Sequence, residues 1–400
     1  MRIAYVGAGR FPTEKANGYQ IAQMLQAFQE AGAQPCLIHY DERLLDKRSE
    51  VPESIYGLRV SLNRATYEIS PLLSRALAGR LTGPIASQLL VRIQAAHAAR
   101  IIHQDPAGPP DAIYTRHPAI AALLLRSLPQ QYTRRLCVEV HALSERPSSF
   151  TRDAAILSRL PKVVTITGAM RDRLISAGLA PERILVAHDA VDEHLFTGPG
   201  NQRLAKEQLH LPMTGKNICY VGRFQTLGQE KGLPEIIRAA ALLLPRHPDS
   251  YFTLVGGPTE AISIYQGLIA EMNLPQGRFI FPGFRPIHEV KTYLDAADIL
   301  LMPMPHTHHY AYNASPLKLF QYMTAGRVIV ASDLPAVREV VGDEEAALLP
   351  SPGDPTALAA AIDRALTDDV LAARLATRAL ELSRQFTWRA RAQAIIDFLS

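Results

Sequence analysis

Two parallel-sheet α/β domains in tandem are what this sequence predicts, and three observations predict them. Apolar, β-branched runs alternate with helical segments, and the alternation starts afresh after a polar stretch at residues 197–217. The chain of 400 residues, 48% hydrophobic and 20% charged, is long enough for two separate cores. The boundaries expected are 1–197 for the first domain and 215–385 for the second, with a helix over 386–400 packing back on the first.

The elements follow in order. "IAYVGA" is a short apolar strand, followed by a loop through Gly9 and Phe11, a helix over "YQIAQMLQAFQEAG" and a second strand, "QPCLIHY". Gly7 and Gly9 sit where a dinucleotide fingerprint begins, yet Phe11-Pro12 falls where the helix should already be turning. The reading is therefore a glycine-permitted loop under a ligand pocket. Residues 64–104 read as helical and are broken at Gly83-Pro84. They carry Arg64, Arg75, Arg80, Arg92 and Arg100 against the acid Glu68. Such basic amphipathic helices lie on an anionic membrane face, or pack on the domain surface with their arginines in water; both readings stay open.

After "QDPAGPPD" the alternation resumes with "AIYTRH", the helix "PAIAALLLRSL", "RLCVEVHAL", a helix near 150–160, "KVVTITG", "AMRDRLISAGL" and "RILVAHDAVDEHLF". The second domain repeats the grammar from "ICYVGRF" through "YFTLVGG", "RFIFPG", "DILLMPMP" and "RVIVAS", with helices between. Its tail "FTWRARAQAIIDFLS" reads as an amphipathic packing helix that holds the only tryptophan. Ligands of tandem domains of this kind gather at the carboxyl ends of the strands, which places the expected site in a cleft between them.

Composition narrows the class. Cys36, Cys137 and Cys219 are dispersed, which suggests neither a disulfide framework nor a zinc knuckle and fits a reducing, cytoplasmic setting. The opening apolar run is too short for a signal peptide and no stretch approaches about 18 apolar residues, so a soluble or peripheral protein is expected. The formal charge of +4 favours anionic partners such as nucleotides, phosphates or lipid headgroups. A serine nucleophile elbow, a P-loop and a nucleic-acid-binding arrangement are not found in the sequence.

Several residues have chemistry suited to a site. Ser315 is expected as an N-cap with Pro316 at the first helical position, leaving backbone N–H groups that attract phosphate. Lys318 in the first turn opposes the helix dipole unless an anion is near; the other reading is a surface lysine. Gln321 shares its face and can both donate to and accept from ribose hydroxyls, or be a surface residue. Arg223, just after a strand, and Lys231, just before a helix, flank a loop with Gly228 and Gly232. Two cations there would converge on a diphosphate and stabilise the charge it gains on leaving, or else decorate a solvent loop. Gly256 and Gly257 of "VGGPTE" allow close approach of a ligand, with Glu260 as an acceptor. His141 closes a strand two residues after Glu139 and is either an acid–base group near neutral pH or a structural histidine. His306, His308 and His309 lack a cysteine or carboxylate at metal-ligand spacing, so no metal is expected. They line the cleft or face water, with Tyr310 and Tyr312 available to stack on a flat group.

The stretch "SPLKLFQYMTAGRVIVASDLPAVREVV", together with "TEKANGYQIAQMLQAFQEAG", "VEVHAL", "DAVDEHLF", "VGRF", "EKGL", "VGGP" and "FTWRARA", resembles the retaining glycosyltransferases of family 4 over nearly the whole chain. The resemblance implies the GT-B fold, two Rossmann-like parallel-sheet domains facing a central cleft, with a nucleotide sugar as donor substrate and no cofactor or metal. It implies that Arg223 and Lys231 bind the nucleotide diphosphate together with backbone around Pro316, Leu317 and Lys318. His141 would sit near the transferred sugar, Gly9 in the loop over the donor, and Gly257, Gln321 and Asn313 along the donor. The implied reaction is attack of an acceptor hydroxyl from the face the diphosphate leaves. The acceptor would be a lipid-linked glycan, a small metabolite or a growing polysaccharide, with peripheral contact to an anionic inner membrane face. The family commonly carries glutamates where this chain has Asn313 and Gln321, so a different donor, weaker binding or lost activity follows from the departure. The rival readings are a GT-B sugar phosphorylase, a nucleotide-sugar epimerase and a non-catalytic scaffold of the same fold; a dehydrogenase lacks the helix that should follow Gly7 and Gly9.

Overall fold

β-Branched and aromatic runs become the strands of two parallel sheets. The computed structural model describes residues 1–7, 11, 16–40, 56–67, 84–226 and 229–400. They divide into two units: Met1–Asp189 with Trp388–Ser400, and Ala190–Thr387. Residues 190–197, expected in the first domain, belong to the second. Val191 donates its backbone N–H to Phe386 at 2.8 Å, and Val191 and Phe196 enter the core of that unit.

The first unit holds β1 (Arg2–Val6), β2 (Gln34–Tyr40), β3 (Arg64–Tyr67), β4 (Ala112–Thr115), β5 (Leu136–Val140), β6 (Lys162–Thr165) and β7 (Ile184–Val186). They form a parallel sheet in the order β3-β2-β1-β4-β5-β6-β7. Strands β4 and β5 are buried along their whole length, because helices cover both faces of such a sheet and polar alternation has no place in it. The helix Ala16–Glu30 turns Ile21, Met24, Leu25 and Phe28 inward, and the ring of Phe28 meets Tyr114 edge-on at 5.9 Å. The terminal helix Trp388–Leu399 packs on that same helix. Strand order reverses between β1 and β4, which marks the carboxyl edge there as the ligand-receiving crevice of this topology.

The stretch 64–104 corrects the sequence reading. Arg64–Tyr67 is a strand that pairs with β2 from Leu37↔Arg64 to Tyr40↔Tyr67, and a helix runs over Pro84–His103. Helical propensity yields here to pairing with a neighbour far away in sequence. Arg64 and Arg100 are therefore not on one basic helix, while Glu68, Arg75 and Arg80 lie outside the described residues.

The second unit has β8 (Asn217–Val221), a two-stranded antiparallel ribbon of β9 (Gln225–Thr226) and β10 (Gln229–Glu230), and then β11 (Tyr251–Val255), β12 (Phe279–Gly283), β13 (Ile299–Met302) and β14 (Val328–Ala331). The parallel sheet runs β12-β11-β8-β13-β14, so its order reverses between β8 and β13. The polar stretch after which the alternation restarts is folded onto this unit. Asn201 caps the helix Gln202–Gln208 through Leu204, Lys206 reaches Asp298 at 3.2 Å, and Ala205 and Leu211 are buried. Its polar residues serve as caps and ion pairs, which hid the few apolar anchors among them.

Candidate functional site

In the second unit the strands around the reversal part company. β13 pairs with β8 only at Ile299↔Ile218 and Leu300↔Cys219, which leaves the last residues of β8 without a partner on that side. Tyr322, on the helix Leu317–Met323, fills the gap. Its hydroxyl accepts from Val221 N at 2.8 Å and donates to Val221 O at 3.0 Å. Beyond β8 the chain makes a glycine turn that continues across the sheet edge, with Gly222 N bonded to Val255 O, Phe224 N to Gly257 O and Gly256 N to Gly283 O. The fit is tight enough to exclude a side chain: a Cβ on Gly256 would lie 1.8 Å from Gly222 O.

Lysine side chains converge on this edge. Lys318 lies one helical turn before Tyr322, and its ammonium donates to the Tyr220 hydroxyl at 2.9 Å while sitting 4.1 Å from that ring's centroid. The Tyr220 hydroxyl in turn donates to Arg223 O at 2.7 Å. Lys231 lies 5.8 Å from the ring of Tyr310, just ahead of Gly232, the N-cap of the helix Leu233–Leu243. Gly232 has φ +84°, and a Cβ there would lie 1.7 Å from Pro303 O, so the turn brings Lys231 to the end of β13. Burial, and then repulsion from Arg223, brings the Lys231 pKa down to about 8. Burial and Lys231 together push Lys318 well below the usual lysine range. His309 is lowered by burial and by Lys231. The nearby acid Glu230 is taken up elsewhere, by the Tyr265 hydroxyl at 2.7 Å and by Gln225 at 2.5 Å. The cluster therefore carries positive charge that disfavours itself, the condition under which an entering anion is stabilised.

Other expected residues are distributed around this edge. Pro316 occupies the N-cap position and Ser315 the buried position before it, one residue away from the capping expected, and no side chain caps the helix. Asn313 is buried in a π-helical turn over His309–Asn313, and Gln321 is half-buried. Tyr310 is a core residue at 4% exposure, beneath Lys231, and its face is not open for stacking; Tyr312 is exposed beside His308. Among the described residues no group of three or more His, Cys, Asp or Glu side chains could hold a metal. Gly9 and Gly228 lie outside the described residues.

In the first unit the carboxyl edge gathers a second cluster. His141 follows β5 with a quarter of its side chain exposed, and its Nε2 lies 2.5 Å from Glu139. Arg116, just after β4, reaches both ring nitrogens and bonds Gln20 at 2.7 Å. Gln20 donates to Asp189, whose carboxyl is raised to about 6 by burial. Glu139 also accepts from the Tyr114 hydroxyl and pairs with Arg391 of the terminal helix at 2.9 Å. Burial opposes charge on Glu139, but Arg391 and then His141 hold it well below the usual carboxylate range. Burial and Arg116 lower His141 to about 4, so it stays neutral at pH 7, which favours the second of its two readings, a hydrogen-bonded histidine, over a group titrating near neutrality. The pair is thus a carboxylate with an uncharged imidazole. Arg116, Gln20, Asp189 and Arg391 escaped the sequence reading, because nothing local in "WRARAQ" or "YTRH" points to a carboxylate on the neighbouring strand or a whole chain away.

Comparison with known proteins gives this geometry a context. Residues 215–368 match the family model described as glycosyl transferases group 1. The D-inositol 3-phosphate glycosyltransferase of Corynebacterium aurimucosum is 30% identical over 240 residues, covering 58% of this chain and 54% of that protein. The 2-deoxystreptamine glucosyltransferase of Streptomyces kanamyceticus is 28% identical over 293 residues, covering 72% of this chain and 65% of its own. The chain spans about half the length of the first of these relatives. Among solved structures, Anabaena HepE in complex with UDP superposes with a TM-score of 0.71 at 18% identity, covering 100% of this chain and 99% of that one. Sucrose-phosphate synthase from Thermosynechococcus elongatus does so with a TM-score of 0.73 at 22% identity, covering 99% and 97%. These likenesses, which run over the whole chain, show the GT-B fold, two Rossmann-like parallel-sheet domains.

Proposed function

We propose that this chain is a retaining glycosyltransferase that moves a sugar from a nucleotide-sugar donor to an acceptor hydroxyl. The observation that carries the reading is the set of cations Arg223, Lys231 and Lys318 at the carboxyl edge of the second unit, where, among the described residues, the charges that shift the two lysines, Arg223 on Lys231 and Lys231 on Lys318, are positive. A nucleotide diphosphate supplies the missing negative charge, and the same cations stabilise it further as it leaves. In the proposed step the bond from the anomeric carbon to the diphosphate breaks with its electron pair going to the phosphate oxygen. The acceptor oxygen bonds to that carbon on the same face, and the acceptor's proton passes to the departing phosphate.

The other expected residues take roles consistent with that step. Backbone at Pro316, Leu317 and Gly257 approaches the donor, Gln321 meets the ribose and Asn313 lies toward the sugar, while the donor-binding role expected of Gly9 falls outside the described residues. A neutral His141 contributes hydrogen bonding near the transferred sugar, not a charge. The acceptor class is a hydroxyl-bearing glycan, lipid-linked glycan or small metabolite, and peripheral contact with anionic lipid is supported by Arg92 and Arg100, both exposed on the helix Pro84–His103.

The test is calorimetric titration with UDP, the ligand held by the HepE structure, and with other nucleoside diphosphates, on the full chain and on an Arg223→Ala/Lys231→Ala variant. One nucleotide is expected to bind, with affinity falling about 100-fold or more in the variant, since each charge-assisted hydrogen bond contributes about 1.5–3 kcal/mol. Product analysis with the matching nucleotide sugar then separates transfer from phosphorolysis, which requires inorganic phosphate, and from epimerisation, which requires no acceptor. Absence of binding to every nucleotide sinks the reading. Binding without turnover favours a scaffold, for which the uncharged Asn313 and Gln321 are the motive.

A further inference from the structure

Beneath His141 lies a set of buried charges that no step of the proposed transfer uses. Glu139 and Arg391 are 2% and 5% exposed. Each would cost several kcal/mol to bury alone, so each exists as an ion because of the other. Both carboxylate oxygens of Glu139 are committed: Oε2 to Arg391 Nη2 at 2.9 Å and to the Tyr114 hydroxyl, and Oε1 to His141 Nε2, with Arg116 Nε at 3.4 Å. Arg391 is itself fixed by further contacts, to His188 O at 2.8 Å, Ala187 O at 3.3 Å and Met24 Sδ at 2.8 Å, with the Trp388 ring centroid at 5.8 Å.

This arrangement determines where the imidazole proton sits. Arg116 lies 2.7 Å from Nε2 and 2.9 Å from Nδ1, and a guanidinium can only donate. Nε2 faces the Glu139 carboxylate as well as the Arg116 Nε donor, whereas Nδ1 faces an Arg116 donor alone, so Nε2 is the ring nitrogen with an acceptor for its proton and Nδ1 is left to accept from Arg116. Were Glu139 protonated, it would donate to Nε2 and force the proton onto Nδ1, against the Arg116 donors.

We propose that Arg391 is a positioning residue: by keeping Glu139 a carboxylate it holds His141 as the uncharged Nε2–H tautomer with a fixed ring orientation. The terminal helix thereby reaches the reacting end of the first unit without touching it. Among the described residues, the charged and titratable groups facing this pair are Tyr5 from β1, Tyr114 and Arg116 from β4 and its end, Cys137 and His141 from β5 and its end, and His188 and Asp189 after β7. The effect on turnover rests on the transferase reading, whereas the tautomer does not.

The experiment is histidine ¹⁵N NMR on the full chain, with His141 identified by loss of its signals in His141→Gln. The unaltered chain is expected to show the neutral Nε2–H form at pH 7, and Arg391→Lys to retain it. In Arg391→Met the ring is expected to leave that state, becoming imidazolium or the Nδ1–H tautomer. An Nδ1–H ring in the unaltered chain overturns the proposal whether or not Arg391→Met folds, and so does an unchanged ring in a folded Arg391→Met. In parallel, kcat for sugar transfer is expected to fall about 100-fold in Arg391→Met, the scale of a misplaced group, with calorimetric UDP binding unchanged. The expected tautomer shift in a chain that binds no nucleotide supports this proposal and removes only the transferase reading.

Discussion

The ammonium of Lys231 lies half-buried beside Arg223, and burial first and that neighbour second bring its pKa from 10.5 to about 8. Two pH dependences of opposite sign follow. Between pH 8 and 10.5 the unfolded chain holds a proton here that the folded chain has lost, so the group's contribution to stability rises with pH across that window. An anion needs the charged form, so diphosphate binding weakens as pH rises through 8. UDP affinity measured by calorimetry at successive pH values is expected to fall by up to about tenfold per unit above pH 8, while the melting temperature without ligand does not fall for this reason. Binding that is flat from pH 7 to 9 contradicts the assignment. At this scale the sequence indicated Arg223 and Lys231 through their places beside a strand and a helix. It left Lys318 undecided, because what distinguishes it from a surface lysine is Tyr220, 98 residues earlier.

Strand β8 and the helix Leu317–Met323 depend on one hydroxyl. Where β8 separates from β13, Tyr322 satisfies both backbone groups of Val221, and it is fully buried in doing so. Tyr322→Phe keeps the ring and removes those bonds, leaving a buried N–H and C=O unpaired. A loss of about 1–3 kcal/mol in denaturant unfolding is expected, with weaker nucleotide binding because Lys318 rides on the same helix. A fully stable variant would show that the gap is closed by something else. The helix itself was legible from Pro316 and its apolar spacing, although its capping was displaced by a residue. The strand Arg64–Tyr67 was not legible, since "RATY" becomes a strand only by pairing with β2. The folded polar segment 197–217 was likewise hidden, its caps and ion pairs looking like linker chemistry until Asp295 and Asp298 are placed beside it.

The whole chain carries a formal charge of +4, with Arg92 and Arg100 exposed on one helix of the first unit, and among the described residues no helix is long and apolar enough to cross a membrane. Attraction to an anionic surface would then be electrostatic and screened by salt. The full chain is expected to co-sediment with vesicles containing anionic lipid at low ionic strength, and to be released at high salt or on zwitterionic vesicles. No binding at low salt removes the membrane part of the proposal. The sequence by itself determined the alternation of strands and helices, the two-sheet fold class and the places of Arg223 and Lys231 beside a strand and a helix of the second unit. These are written in local periodicity and in residues placed directly at strand ends. Only the tertiary structure decided the rest: the reversal of strand order that gathers Arg223, Lys231 and Lys318 at one edge, the burial that lowers the pKa of both lysines, and the pairing of Glu139 with Arg391. Burial and charge pairing depend on which distant segments meet, and that is a property of the folded chain rather than of any stretch of it.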